Sequence, residues 1–438
     1  MARSGQMHLN VFLMDSGHHE AAWRLPEANP YVGFDVAELQ ETARLAERGK
    51  LDSLFIADIP ALWMGFAQRP QAALDPLLLL TMMAGVTSRI GLIATLSTTY
   101  NEPYNVARRM ASLDHLSGGR AGWNIVTTPG REVARNFNLE DQPDHAGRYV
   151  RAAEFVEVVL KLWDSWEDDA VLADKERGVW GDESKLHPAL HRGEHYSVQG
   201  ALNVPRPPQG YPLLVQAGSS SDGKAFAARY AEAVFTSQPT LEEAQAFYRD
   251  VKRLAQRELA ILPGLVAVIG GTEAEAQAKQ DELDALVNPL YTRRHLARLL
   301  RVEPERLELD RELPDDLPDE SQIEGGKSRF SLVVGLARRE KLTVRQLVAR
   351  FGRSRGHNTV IGTPEQVADS MCAWWHAHGA DGFNVMPPYM PGGLKDFVEQ
   401  VVPLLQQRGV FRSDYAGQTL REHYGVARPA NRYVTIAR

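Results

Sequence analysis

The feature that most constrains this chain is a regular alternation of short apolar segments with segments of helical spacing. The strand-like segments lie at residues 8–14, 52–57, 90–96, 123–127, 212–216, 233–236, 265–269 and 382–386. The helical patterns between and after them lie at residues 36–48, 76–86, 106–116, 148–166, 224–230, 241–259, 273–287 and 394–407. Eight strands alternating with helices predict an α/β fold of the (β/α)8 barrel type. An open, doubly wound sheet is the structural alternative, because the number of strands alone does not prove closure.

Two long segments interrupt the alternation. Residues 164–211 are rich in charged residues, Trp, His and Pro, and residues 288–360 carry acidic, Pro-containing turns followed by basic helices. A barrel of this type takes roughly 250 residues and tolerates large loop insertions. We therefore expect a single domain over residues 1–438, with insertions at about 164–211 and 288–360. Insertions of this length usually carry function.

Composition excludes several classes of function. The 49 basic and 56 acidic residues give a net charge of −7, which offers no electrostatic footprint for nucleic acid or an anionic membrane. The single cysteine, Cys372, excludes an internal disulfide framework and a multi-cysteine metal site. Residues 1–5 lack the apolar stretch of a signal peptide, and the longest apolar run, residues 77–86, is too short to span a bilayer. We expect a cytoplasmic protein.

Polar side chains follow several of the predicted strands. In the segment Gly119-Arg120-Ala121-Gly122-Trp123-Asn124-Ile125-Val126-Thr127-Thr128, a turn leads into a short buried strand with a polar end. Because the carboxyl ends of parallel strands face the ligand, we expect such side chains to converge. The residues at these ends include Asp58, Thr95, Ser97, Asn124, Thr127, Gly218, Ser219 and Ser220. This set has one carboxylate and no cluster of metal ligands, so it predicts a site that holds a polar ligand by hydrogen bonds, without a metal.

The segment Val215-Gln216-Ala217-Gly218-Ser219-Ser220-Ser221-Asp222-Gly223-Lys224 runs from a strand through a Gly/Ser turn into a helix. Backbone N–H groups at a helix N-terminus, together with hydroxyls, form a binding site for phosphate. The segment also matches most of the nucleotide-binding P-loop pattern, but Ala225 stands where that pattern needs Ser or Thr to hold Mg²⁺. We therefore expect phosphate binding without a metal, and an ordinary helix-capping turn is the alternative.

His145 and Tyr149 lie four residues apart at the start of a predicted helix. If the first turn includes both residues, their side chains share one face and can flank the same ligand. A surface or capping arrangement is the alternative for this pair. For Arg148 between them, we expect a solvated or ion-paired side chain.

Motifs along nearly the whole chain resemble those of one known family. They include Gly17-His18-His19, Ala46-Glu47-Arg48-Gly49, Phe55-Ile56-Ala57-Asp58, Ser97-Thr98-Thr99-Tyr100, Ser112-Leu113-Asp114-His115-Leu116-Ser117-Gly118-Gly119-Arg120, Trp123-Asn124-Ile125-Val126-Thr127, Arg148-Tyr149, Ala217-Gly218-Ser219-Ser220, Asp381-Gly382-Phe383-Asn384 and Thr419-Leu420-Arg421-Glu422-His423. The chain resembles the two-component flavin-dependent monooxygenases of the bacterial luciferase superfamily. The matching branch contains the nitrilotriacetate, EDTA and dibenzothiophene-sulfone monooxygenases and the pristinamycin synthase large subunit.

This resemblance implies a (β/α)8 barrel that binds reduced FMN (FMNH2), which a separate NAD(P)H:flavin reductase supplies. It implies O₂ as co-substrate, a C4a-(hydro)peroxyflavin as the oxidant, and a homo-oligomer (dimer or tetramer). By the same resemblance, Asp58 and Thr95 lie near the isoalloxazine and Asn124 binds its edge. His145, Tyr149, Ser219 and Ser220 surround the ribityl phosphate, next to Gly218. It also predicts a non-prolyl cis peptide bond near residues 96–98.

The resemblance leaves the substrate and the catalytic residues open. Small organosulfur, amine and heterocyclic compounds all fit, and a deazaflavin- or flavin-dependent oxidoreductase without oxygenase activity is the alternative function. Candidate pocket-lining residues are His18, His19, Trp23, Trp63 and Phe235. Arg24 is the one basic residue clearly placed near a strand end, and a polycarboxylate would need several. A less charged organosulfur or heterocyclic substrate is therefore preferred.

Overall fold

A computed structural model describes residue 3 and residues 5–62, 66–70, 74–319, 323, 327–354 and 356–434. Among these residues the strands are, in chain order, β1 (His8–Leu13), β2 (Ser53–Ile56), β3 (Gly91–Ser97), β4 (Ala121–Val126), β5 (Val171–Asp174), β6 (Val179–Gly181), β7 (His191–Arg192), β8 (Ser197–Val198), β9 (Leu213–Ala217), β10 (Ala233–Thr236), β11 (Ala260–Ile269), β12 (Asn358–Gly362) and β13 (Gly382–Val385).

Eight of these strands form a closed parallel barrel. Their order is β1-β2-β3-β4-β9-β10-β11-β13, and β13 pairs again with β1. Closure depends on β11, because its first residues pair with β10 and its central residues pair with β13. The predicted (β/α)8 barrel is thus confirmed, and the alternative of an open sheet is wrong.

Helices connect the barrel strands and cover the outside of the barrel. In chain order they are α1 (Val36–Arg48), α2 (Pro76–Ala84), α3 (Pro103–Ser117), α4 (Arg131–Arg135), α5 (His145–Trp163), α6 (Ser221–Tyr230), α7 (Leu241–Ala255), α8 (Glu273–Ala285), α9 (Pro289–Leu300), α10 (Lys327–Glu340), α11 (Val344–Ser354), α12 (Pro364–His376), α13 (Gly392–Asp396), α14 (Val402–Gln407) and α15 (Leu420–His423). None of the helices in the described part of the chain has the length and apolar character that crossing a membrane requires.

Side-chain caps fix where several helices begin. Asp35 accepts from the Glu38 N–H at the start of α1, and Thr363 forms a capping box with Gln366 at the start of α12. Such caps satisfy N–H groups that have no acceptor within the helix. The predicted starts at 148 and 224 were three residues late, because Asp144 and Ser220 cap α5 and α6 earlier.

Two apolar cores lie on either side of the barrel wall. The outer core packs strands against helices and includes the fully buried Trp123, Phe155 and Trp163. The inner core fills the barrel and includes Phe12 and Phe55. Since strand residues alternate between the two faces, both faces of this parallel sheet are apolar.

The helix α15 closes the amino-terminal end of the barrel. Leu420, fully buried, lies inside the barrel against Gly91 and Gly122, where a Cβ would contact its methyl groups. Tyr424 follows, and its hydroxyl donates to Asn10 Oδ1 at 2.8 Å. The amino-terminal end is therefore packed with side chains, which leaves the carboxyl ends of the strands as the open end.

Two segments lie outside the barrel. Residues 171–198 form two antiparallel pairs, β5–β6 and β7–β8. The helices α9, α10 and α11 bury an apolar cluster of their own, which includes Leu296, Phe330 and Phe351. β12 pairs with the second half of β11 outside the barrel ring.

The structure differs from the sequence predictions in two strands and in one peptide bond. β12 was not predicted, and β11 begins at Ala260 rather than at 265. The expected cis bond near residues 96–98 is absent from the described residues, whose one cis peptide bond joins Met390 and Pro391. The Thr98 N–H donates to the Val126 carbonyl at 2.9 Å, so the β3–β4 hydrogen bonding continues past the end of β3.

Replacing Gly91 by Ala tests the closed amino-terminal end. The new Cβ would overlap Leu420 and lie 2.9 Å from the Asp52 carbonyl oxygen. We expect the free energy of unfolding to fall by roughly 1–3 kcal/mol, the usual cost of overpacking a core. Gly200→Ala is the matched control, because a Cβ there meets nothing within 4 Å. Equal stability of the two variants in urea denaturation would contradict this packing.

Candidate functional site

A cavity of about 1060 Å³ opens at the carboxyl ends of the barrel strands. Its walls come from strand ends, from the first turns of α5 and α6, and from α7 and α10. All eight residues predicted for the cofactor site line it, namely Asp58, Thr95, Asn124, His145, Tyr149, Gly218, Ser219 and Ser220. As expected from the convergence of strand ends, residues up to 162 positions apart in the sequence line one surface.

Aromatic rings form an apolar floor in this cavity. The rings of Phe12, Phe55 and Phe235 meet edge to face, with centroids 5.2–5.6 Å apart. His357 adds a fourth ring, stacked on Phe235 with centroids 5.3 Å apart and planes 1° from parallel. We call Phe12, Phe55, Phe235 and His357 the aromatic floor. It can pack against a flat or apolar ligand and keeps water away from that side.

Thr95 and Asn124 lie side by side on neighbouring strands. They are register partners on β3 and β4, and Asn124 Nδ2 donates to Thr95 Oγ1 at 2.8 Å. Asn124 Oδ1 is buried and has no donor among the described residues, and the same holds for Gln216 Oε1. A buried acceptor without a donor costs about 1–3 kcal/mol, so a ligand N–H or O–H at either position would remove that cost.

The turn from β9 into α6 forms a cradle, defined here as residues 218–223. Ser220 caps α6, because its Oγ accepts from the Gly223 N–H at 3.1 Å. The N–H groups of Ser221 and Asp222 begin the helix and have no acceptor within it. A Cβ on Gly223 would lie 3.1 Å from the Tyr149 hydroxyl, and one on Gly218 would overlap Gln216. The two glycines thus let polar groups surround the turn closely.

The first turn of α5 covers the cradle. His145 Nε2 lies 3.4 Å from Ser220 Oγ and 3.3 Å from an Asp222 carboxylate oxygen. The Tyr149 ring packs edge to face on His145, with centroids 5.1 Å apart. Burial raises the pKa of Tyr149, although hydrogen bonds with Ser220 and Thr127 oppose that rise. Both side chains share one face, as the spacing predicted.

Arg148 is the residue whose position the sequence interpretation missed. It was expected to be solvated or ion-paired; it is not solvated, because it is buried on the cavity wall. Its guanidinium donates to the Pro143 carbonyl and lies 3.5 Å from His145 Nδ1. The three-residue spacing from His145 was the available signal, since residues three apart share a helix face. This cation beside the cradle favours an anionic ligand group.

Lys224 does not act as the lysine of a P-loop in this structure. Its Nζ lies 3.0 Å from an Asp250 carboxylate oxygen on α7, and this ion pair lowers the pKa of Asp250. With Ala225 at the position of the Mg²⁺-binding hydroxyl, the turn lacks both side chains that would act on a nucleoside triphosphate. The cradle is therefore suited to a phosphate held by N–H groups and hydroxyls.

Among the described residues, Asp58 is the one carboxylate on the part of the wall formed by β2 and β3. Burial, helped by the charge of Asp75, raises the pKa of Asp58 from its ordinary 3.8 to about 6. A carboxyl group with this pKa can exchange a proton near neutral pH. Perturbed carboxyl groups in clefts are frequent in functional sites.

The other candidate pocket residues have different positions. Phe235 lines the cavity, whereas His18, His19 and Trp23 are not among its lining residues. His18 Nε2 bonds the Phe12 carbonyl at 2.8 Å, and His19 Nε2 lies 3.2 Å from Asp284. Trp63 lies outside the described residues. Arg24, expected near a strand end, is exposed and bonds the Leu286 carbonyl instead.

Comparison with known proteins assigns the chain to a family. The model of the luciferase-like monooxygenase family matches residues 9–382. The chain belongs to this family. It is 47% identical to nitrilotriacetate monooxygenase component A of Aminobacter aminovorans, over 98% of this chain and 99% of the relative. It is also 47% identical to N-acetyl-S-(2-succino)cysteine monooxygenase of Bacillus subtilis (strain 168), over 99% of both.

A solved structure agrees with this assignment. The crystal structure of riboflavin lyase (RcaE) with modified FMN and riboflavin superposes with a TM-score of 0.85 and 30% identity, over 96% of each chain. The family resemblance inferred from the motifs is therefore confirmed, including the nitrilotriacetate monooxygenase branch. Members of this family are oxidoreductases, so this luciferase-like chain is an enzyme of that class.

The raised pKa of Asp58 predicts a pH-dependent stability. A carboxyl group whose folded pKa of about 6 exceeds its ordinary 3.8 stabilises the fold fully below pH 4, and loses that contribution as the pH rises through 6. We expect wild type to lose stability relative to Asp58→Asn between pH 4 and 7, as measured by urea denaturation across that range. In Asp75→Asn, the loss of stability should occur at lower pH, because the charge that helps to raise the pKa of Asp58 is removed. A pH-independent difference between wild type and Asp58→Asn would contradict the assignment.

Proposed function

We propose that this luciferase-like enzyme is an FMNH2-dependent two-component monooxygenase. In this proposal a separate NAD(P)H:flavin reductase supplies reduced FMN, and the enzyme uses O₂ to oxidise a small organic substrate. The observation that carries the proposal is the cradle of residues 218–223, which His145, Arg148 and Tyr149 cover at one end of the cavity. Family membership and the relatives' names as monooxygenases support the reaction type.

The residues on the wall fit a flavin mononucleotide. The phosphate would accept from the N–H groups of Ser221 and Asp222 and from the hydroxyls of Ser219 and Ser220, as anions do at helix N-termini. The buried Arg148 would balance its charge. Asn124 Oδ1, which has no donor among the described residues, would accept from an N–H at the edge of the isoalloxazine, next to Thr95. The cavity volume of about 1060 Å³ leaves room for a second small molecule.

Reduced FMN supplies the electrons that activate O₂, and the chain's own residues bind, orient and shelter it. The aromatic floor and the apolar face of α10, with Leu332 and Leu336, line the cavity. They would exclude water from the reacting centre, which prevents wasteful side reactions. Asp58, with a pKa of about 6, is the group best placed to hold or release a proton on the β2 side.

In this proposal, the names of the relatives support the substrate class and the reductase partner. The two relatives are named for an amine and a thioether, so we propose an amine-, sulfur- or heterocycle-containing substrate. The name "component A" of one relative supports a separate reductase partner. We further propose one domain over residues 1–438 and a homo-oligomer, dimer or tetramer, as in the resemblance.

Ser220→Ala tests the cradle as the phosphate site. We expect the Kd for reduced FMN, measured by anaerobic calorimetry, to rise about 10- to 100-fold, because a hydrogen bond to a charged group contributes about 1.5–3 kcal/mol. Thr272→Ala is the matched control, since Thr272 caps α8 in the same way and is not among the cavity residues. Lys224→Ala should change the Kd little, because Asp250 already neutralises this lysine. A weaker effect of Ser220→Ala than of Lys224→Ala would favour the P-loop interpretation.

An oxygen-uptake screen tests the reaction. Purified protein, FMN, a generic flavin reductase and NADH would be incubated with sulfones, sulfonates, amines and aminopolycarboxylates. We expect product to form in proportion to O₂ consumed for one compound class. Product formation without O₂ consumption, or binding of a deazaflavin in place of FMN, would instead support an oxidoreductase without oxygenase activity.

A further inference from the structure

The part of the cavity formed by α7 and α10 carries charges that the proposed cofactor does not use. α7 contributes Glu243 and Asp250, α10 contributes Arg339, and α6 contributes Lys224. Each cation is paired with a carboxylate of α7, namely Lys224 with Asp250 at 3.0 Å and Arg339 with Glu243 at 2.9 Å. The two pairs differ in exposure, since the Lys224 side chain is 24% exposed and that of Arg339 is 47% exposed.

Arg339 has unused hydrogen-bonding capacity. Its Nη1 donates to one Glu243 oxygen, and the described residues give it no other hydrogen bond. A guanidinium carries five N–H donors in a planar fork that matches a carboxylate with two parallel bonds. The single bond to Glu243 therefore leaves a side of the fork available to a ligand.

The helix α10 directs Arg339 toward the cavity. Ser331, Leu332, Gly335, Leu336 and Arg339 line the cavity, and their spacing of four and one residues forms one stripe along a helix face. A Cβ on Gly335 would meet nothing within 4 Å. The stripe thus offers open space next to a guanidinium, with apolar side chains on either side.

Arg339 lies on a different part of the rim from the cradle. The cradle follows β9 and is covered by α5, which follows β4, so it lies on the β4–β9 side of the barrel. Arg339 instead contacts α7, which follows β10. Arg339 thus lies toward the strand next to the one that carries the cradle, on the β10 side, where Phe235 of β10 stacks on His357.

From this arrangement we propose that the substrate bears a carboxylate, which Arg339 binds while the reacting nitrogen or sulfur centre lies over the aromatic floor. The inference rests on the proposed function for the position of the cofactor. It differs from the preference for a less charged substrate, which rested on Arg24 as the one basic residue clearly placed near a strand end. Glu243 competes with the ligand for the guanidinium, so the substrate carboxylate shares or displaces this pair.

Equilibrium binding without turnover tests the proposal. The protein saturated with oxidised FMN, without a reductant, would be titrated with nitrilotriacetate and N-acetyl-S-(carboxymethyl)cysteine, each beside its full methyl ester, with FMN fluorescence as readout. We expect at least one acid to bind at least tenfold more tightly than its ester. Arg339→Gln should raise the Kd of that acid at least tenfold, and Glu243→Gln should lower it, because the competing carboxylate is removed.

Arg338→Gln is the matched control for this test. Arg338 is adjacent on α10 but pairs with Asp315 at 2.9 Å and is not among the cavity residues, so its loss should leave acid binding unchanged. Equal effects of the two arginine variants, or esters binding as tightly as acids, would overturn the proposal. A rise in the FMN Kd of Arg339→Gln as large as that of Ser220→Ala would also overturn it, since Arg339 would then contact the cofactor. Failure of wild type to bind reduced FMN in anaerobic calorimetry would instead contradict the proposed function.

Discussion

The closure of the barrel through β11 is the interaction on which the rest of the structure depends. Backbone hydrogen bonds join its first residues to β10 and its central residues to β13, so the two ends of the sheet meet. Gly264 lies at this change of partner, and a Cβ there would lie 2.7 Å from Met386 Sδ and overlap His357. The absence of a side chain lets His357 reach Phe235. Closure and the aromatic floor thus depend on the same short stretch of backbone.

Closure of the barrel also explains why two side-chain oxygens on the cavity wall can remain without a hydrogen-bond donor. Asn124 Oδ1 and Gln216 Oε1 are buried on strands that are fixed by pairing on both sides. The pairing fixes the backbone from which both side chains extend into the cavity wall, and each unsatisfied acceptor costs about 1–3 kcal/mol. The barrel therefore holds acceptors in place before a ligand arrives, and ligand binding recovers part of this cost.

The sequence predicted the part of the site that the barrel determines. Strand periodicity and the strand-end rule were enough to bring Thr95, Asn124 and the cradle together, because closure leaves their positions little freedom. Arg148 was expected to be solvated or ion-paired, and its place on the cavity wall was not predicted. Its burial depends on contacts with Pro143 and His145 around the start of α5, which periodicity does not report. β12 was missed because its residues are mostly half-buried and lack the continuous apolar character of a barrel strand.

The sequence did not predict that Arg339 lines the cavity, for a different reason. It lies on α10, whose position is set by the apolar cluster that α9, α10 and α11 share and not by the register of the barrel. A segment with its own core can change its cavity-facing residues without disturbing the strands that hold the cradle, since cores tolerate substitution when their packing is kept. If the cofactor binds to barrel residues and the substrate to α10, selection can alter one without the other. Under the proposed function, this separation gives a physical reason why relatives of equal identity to this chain are named for different substrates.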